Sequence, residues 1–199
     1  KRTQNTSWYN ETLGTATRGT RKEFPAVAVV VAESNPNKVT IYDGDDPDLP
    51  MWMVFSASTN TNANFLAVAG QTLSSIFIVN GDLCVGFPSA NGWGINRVNF
   101  VSDSQAWYWT SATIHRQVNN SIVGRNGQNG FYNTSSGISG LSNASVNDVA
   151  MTVLPNAPID SATGLPVPTI ALGTEGGVSV IKDDGTVVDL TGSDPYVEC

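Results

Sequence analysis

The sequence predicts an all-β fold of β-propeller-like blades, each about 45 residues long, with a β-sandwich as the alternative. Three observations carry this. The first is the stretch PTIALGTEGGVSVIKDDGTVVDLTG (168–192), in which an apolar strand at 169–172 stops at Gly173. An alternating strand at 177–181 then ends at the turn signal Asp183-Asp184-Gly185, and 186–190 returns as a third strand. The second is repetition: PAVAVVVA followed by KVTIYDGDD, LSSIFIV followed by DLCVGF, and a weaker NNSIVGRNGQNGFYN repeat the strand–turn–strand layout. With Val39, Leu83, Phe131 and Val178 as markers, the spacings are 44, 48 and 47 residues, a period of four-stranded blades rather than of helical solenoids. The third is composition: only 14% of residues are charged, and no window sustains an apolar period of 3.6 residues.

In chain order, residues 1–24 are polar, threonine-rich and basic, and are read as an N-terminal arm or as outer strands of the first unit. The pair Trp8-Tyr9 predicts that the arm is ordered, because two such aromatics are costly to leave in water. Residues 25–199 form the propeller-like domain of about four repeat units. Within it, 25–32 has too few polar residues for a surface strand and is expected at a sheet centre. A strand at 51–55, a polar loop at 56–64 and a strand at 65–69 follow. The segment 86–100 has the Gly, Asn and Pro punctuation of a long hairpin loop with Trp93 at its tip, leading into a strand at 95–101. Residues 119–147 are the most polar part and the poorest blade. A strand resumes at 149–154, and four prolines in 155–168 predict an irregular outer loop.

The net charge of −7, with basic residues concentrated in 1–22, argues against a nucleic-acid surface on the body of the domain. No run reaches the roughly 18 apolar residues of a membrane span, and no membrane insertion is expected. Cys84 alternates with apolar neighbours and reads as a buried thiol; Cys199 is the last residue given. A disulfide between them has only the even count in its favour.

Chemistry-bearing motifs are sparse. His115 is the only histidine, and no nucleophile elbow accompanies it. No Gly-rich dinucleotide or phosphate loop occurs, so no cofactor is expected. Glu33, Asp82 and Glu175 sit at turns of their units and are the candidate acids for a glycan hydrolase, which needs two neighbouring carboxyl groups; acids in hairpin turns are equally common without catalysis. Asp43, Asp45, Asp46 and Asp48 have the alternate spacing of a Ca²⁺ loop, but not the register of an EF-hand, and an ordinary solvated turn is the preferred reading. Trp93, Trp107 and Trp109 are the candidate ligand-binding residues. Alternation puts Trp107 and Trp109 on one strand face, where they either stack on sugar rings or fill space between sheets.

The phrase IALGTEGGVSVIKDDGTVV is similar to blades of the propeller repeats of bacterial sensor ectodomains: a strand, then T-[DE]-G-G, then a strand ending in D-G. The phrases SWYNETLGTATRGTRKEFPAVAVVVAE and KVTIYDGDDPDLPMWMVF resemble tail-fibre or tail-spike type proteins of tailed bacteriophages, particularly short-tailed ones. The WD and GH dipeptides of WD40 blades are missing. The phage resemblance implies a virion protein of the tail that works as a structural connector or in host recognition, bound to other tail subunits or to host surface polysaccharide. It brings no catalytic motif; the alternatives are a tail-spike glycan hydrolase and a secreted propeller that binds a partner. An open arc of four blades exposes its end sheets, so the chain is expected to be completed by further blades of a longer protein or by neighbouring subunits.

Overall fold

The computed structural model describes residues 3–34, 37–56, 72–88, 94–110, 113–118, 133–136, 140–161 and 163–191. Among them the chain is all-β, with thirteen strands in three antiparallel sheets, none of them closed, and one 3-10 turn at Trp8–Asn10. The first sheet is β1 (Ala28–Ser34), β2 (Asn37–Asp43) and β3 (Met51–Ser56), in that order. The second is a six-stranded meander of β4 (Ser75–Val79), β5 (Asp82–Gly86), β6 (Ile95–Asn99), β7 (Ser104–Tyr108), β8 (Thr113–Val118) and β9 (Asn133–Ser136). The third runs β10 (Val146–Thr152), β11 (Thr169–Thr174), β12 (Gly177–Ile181) and β13 (Val187–Leu190). Every neighbour in a sheet is also the neighbour in sequence, so each sheet is a simple antiparallel meander without a crossover.

The alternation of each strand decides which face it buries. On the second sheet, Ile76, Ile78, Leu83, Val85 and Val98 point one way, and with Val39, Ile41, Met53 and Phe55 of the first sheet they close one core. Cys84, Ile95, Ala106 and Tyr108 point the other way and close a second core. There they meet the cross-strand row Met151, Ile170, Ile181 and Val187 of the third sheet. Among the described residues, strands β4 to β6 of the middle sheet are therefore covered on both faces. The first strand of each sheet also lies near the first strand of the next, β1 against β4 and β4 against β10. The β4–β10 seam is bonded by side chains: Ser75 Oγ donates to Asp148 Oδ1 at 2.7 Å and accepts the Val149 N–H at 3.1 Å.

The N-terminal segment is packed onto the first core. Trp8 is 1% exposed and donates its indole N–H to Phe100 O at 2.7 Å, meeting the cost of exposure that predicted its order. Residues 17–19 run along the free edge of β3, with the Gly19 N–H on Trp52 O and the Val54 N–H on Thr17 O. A register shift between Ile41 and Tyr42 bulges β3 at Trp52, which turns the indole onto Trp8 and Phe24, at 5.1 and 5.0 Å between ring centroids. Arg18, 1% exposed, lies 4.5 Å over the Trp52 ring and donates to the carbonyls of Arg21, Lys22 and Trp52. Burial lowers its pKa to about 10, which the charge of Glu11 offsets only in part.

The meander expected at 168–192 is present as β11 to β13, with pairs such as Leu172–Ser179 and Val180–Val188. Two expectations need correction. The apolar run of the first unit is not a sheet-centre strand: β1 is an edge strand, and its outward residues Val29 and Val31 are each 40% exposed. Ala28, Val30 and Ala32 are the half that packs on the core; an all-apolar run does not tell a strand buried on both sides from one left with a bare face. The repeat markers are also out of step, since Val39 and Leu83 lie on the second strand of their sheets whereas Val178 lies on the third of its own. Phe131 and the strand expected at 65–69 lie outside the described residues.

Candidate functional site

A polar cleft of about 400 Å³ lies between the outer part of the second sheet and the β12–β13 turn of the third. Its floor follows from register. Val79, Asp82, Asn99 and Ser104 form one cross-strand row, and Phe77, Cys84, Arg97 and Ala106 the next. These positions share the face that carries Ile95 and Tyr108 into the second core, so polar residues continue the face where the apolar ones stop.

Asp82, fully buried, holds Arg97 by two bonds: Nε to Oδ1 at 2.8 Å, and Nη2 to Oδ2. A bidentate pair fixes the guanidinium plane as well as its charge. Burial acts to lower the Arg97 pKa, but the adjacent Asp82 carboxylate outweighs it and holds the value well above that of a free arginine. Asn99 Nδ2 reaches Asp82 at 3.4 Å, while its Oδ1 accepts the Val101 and Ser102 N–H groups, both at 2.9 Å. The hydroxyls of Ser102 and Ser104 are 2.7 Å apart. On the far wall Lys182 Nζ stands 3.7 Å from Asp184, and Asp184 Oδ1 accepts from the Thr186 N–H and hydroxyl. Those bonds lower the Asp184 pKa. Asp160 lies between the walls and accepts the Thr163 N–H at 2.7 Å.

The three acids expected at unit turns fall on three sheets. Glu33 pairs with Lys38 at 2.7 Å, directly across β1 and β2. Asp82 is occupied by Arg97. Glu175, exposed in the β11–β12 turn, donates its backbone N–H to Ser145 O. No hydrogen bond joins any two of them among the described residues.

In the aspartate loop Arg21 pairs with Asp43 at 2.6 Å and with Asp45 at 2.8 Å. Asp45 also accepts the Ala26 and Val27 N–H groups, both at 2.9 Å, and these two bonds, with Arg21, lower its pKa. Asp46 accepts the Asp48 N–H at 3.0 Å. Two of the four carboxylates thus hold a guanidinium, and among the described residues no group of three or more His, Cys, Asp or Glu is placed to hold a metal ion.

The Trp107 and Trp109 rings lie 4.7 Å apart as a tilted pair, with 42° between their planes, and both are partly buried. By register Trp107 shares its face with Asn96, Val85 and Ile76, the side opposite the polar cleft. Trp93 lies outside the described residues. Cys84 is a buried free thiol, and burial pushes its pKa up.

Sequence reasoning singled out Asp82 but missed Arg97, Asn99, Ser104 and the turn Lys182-Asp183-Asp184 as its neighbours. A signal existed for Arg97: in INRVN it occupies the phase of Ile95, where a charge needs a partner on the same face. Compared with protein-family models and with curated proteins, the chain matches none.

Proposed function

We propose that this chain is a non-enzymatic, propeller-like β-module of the tail of a short-tailed bacteriophage, located in the virion. It works by surface contact, with other tail subunits and host surface glycan as its partners. The observation that carries the reading is the stacking of three meanders with strands β4 to β6 of the middle one covered on both faces and their first strands side by side. Two cores in one stack support the propeller-like reading over a two-sheet sandwich, which has a single core between its layers. The outer faces of the first and third sheets carry exposed apolar residues, including Val29 and Val31 at 40%, Val188 at 44% and Leu190 at 62%. Apolar area at both ends of a stack supports a role in which neighbours are bound. The pairing of Glu33 with Lys38 and of Asp82 with Arg97, on separate sheets, favours contact over hydrolysis, and the Trp107–Trp109 pair is a candidate stacking platform for a sugar.

Two measurements test this. Gold-labelled antibodies against the chain are expected to decorate the tails of virions from its source; labelling of cell envelopes alone would overturn the virion reading in favour of a secreted propeller. Incubation with the host's surface polysaccharide is expected to leave chain length unchanged. Depolymerisation lost on Glu33→Gln or Glu175→Gln would replace the binding reading by a hydrolase.

A further inference from the structure

We propose that the polar cleft between the second and third sheets binds a neutral polyhydroxylated ligand, one or two pyranose rings of a carbohydrate. The inference deepens the glycan-binding part of the proposed function, on which it rests for the ligand's source, by giving it a site; the geometry of the cleft holds whether or not the chain belongs to a virion. At about 400 Å³ the cleft is within the range of small-molecule sites, roughly 300–1,000 Å³. Its walls are already fixed: Arg97 by Asp82, Asn99 by the backbone of Val101 and Ser102, Asp184 by Thr186. A ligand therefore enters a cleft whose framework needs little further ordering.

Asp183 is the group left over. It lines the cleft, is partly buried, and makes no hydrogen bond or ion pair among the described residues. Beside it the Lys182 ammonium is only loosely engaged, at 3.7 Å from Asp184, and Ser104 offers a hydroxyl across the cleft. An acceptor, a donor and a group that does both match sugar hydroxyls, which donate and accept. An apolar ligand would strip water from these groups and return nothing.

Charge selects within the polar class. Arg97 is balanced by Asp82, which leaves Asp160, Asp183 and Asp184 against Lys182, so phosphates and uronic acids are repelled. The Trp107–Trp109 pair lies on the opposite face of the sheet and does not contribute.

Saturation-transfer NMR on the full chain tests the proposal, with the methyl glycosides of glucose, galactose, mannose and N-acetylglucosamine as probes and glucuronate as the anionic control. At about 10 mM probe, enough to detect millimolar affinity, at least one neutral glycoside is expected to receive saturation, and glucuronate much less. Asp183→Asn is expected to weaken the binding about tenfold, the worth of one hydrogen bond to a charged group. Ser104→Ala, on the opposite wall, is expected to weaken it as well and gives a second reading should the first variant misfold. Absence of transfer from all four glycosides, binding unchanged in a folded variant, or glucuronate binding as well as the neutral sugars would overturn the assignment. None of these results alters where the antibodies label a virion, so the two proposals fail separately.

Discussion

At Gly177 the chain enters β12 with φ of +122°, and a Cβ there would lie 2.5 Å from the Leu190 carbonyl oxygen. Both the backbone region and the space exclude a side chain, so Gly177→Val is expected to destabilise the fold by roughly 1 kcal/mol or more. Gly173, four residues earlier, would meet nothing nearer than Asp148 Cβ at 3.7 Å, and Gly173→Ala is expected to be tolerated. Thermal melts of the two variants check the pair; equal melting temperatures would mean that the β11–β12 turn is wrongly described. Asp45 sets a pH dependence. Its folded-state pKa is depressed, by the Ala26 and Val27 N–H groups and by Arg21, so its contribution is present above the unfolded carboxylate value of about 3.9 and is lost as pH falls through the folded one. Urea melts between pH 6 and the acid limit should show a steeper loss below about pH 4 in the native protein than in Asp45→Asn. Parallel curves would remove Asp45 from the account of acid stability.

Among the elements, the N-terminal segment carries the clearest test. Trp8 is held by its bond to Phe100 O and by edge contacts with Trp52 and Phe100. Trp8→Ala is expected to destabilise the chain by about 3–5 kcal/mol, the range for a large aromatic lost from a core. A urea midpoint within error of the native value would make the segment a loose appendage. The segment's order was legible in sequence because two adjacent aromatics in a polar stretch must bury somewhere, but its course along β3 was not, since pairing partners such as Gly19 with Trp52 and Thr17 with Val54 lie far apart in the chain and leave no local pattern. The β11–β13 meander was legible because strands and turns follow one another without a long loop. The edge position of β1 was hidden, as AVVV reads the same whether one or both faces are covered. The site was half legible: Asp82 stood out as a turn acid, while its role as the anchor of Arg97 depends on a diagonal across two strands that only the register reveals.

At the scale of the whole molecule, the three sheets form a stack whose interior faces are matched and whose end faces are not. On the third sheet Ala150, Ala171, Val180 and Val188 make one outward row, and Val178 and Leu190 stand on the next. On the first, Val29 and Val31 are exposed on the outward side, paired with Tyr42 and with Thr40, which is itself buried. Each interior face of this kind already packs against another sheet in the same chain. The end faces are therefore expected to be covered in the working protein, by further sheets or by other subunits, and a pair of sheet ends that meet head to tail either closes a ring or propagates. Light scattering after size-exclusion chromatography tests this claim most directly. The isolated chain is predicted to elute as an assembly heavier than its 21.0 kDa, and Val188→Lys with Leu190→Lys to shift it towards the monomer. A stable monomer of 21.0 kDa with a cooperative melt would contradict the account, and would favour a self-contained β-fold whose end faces need no partner.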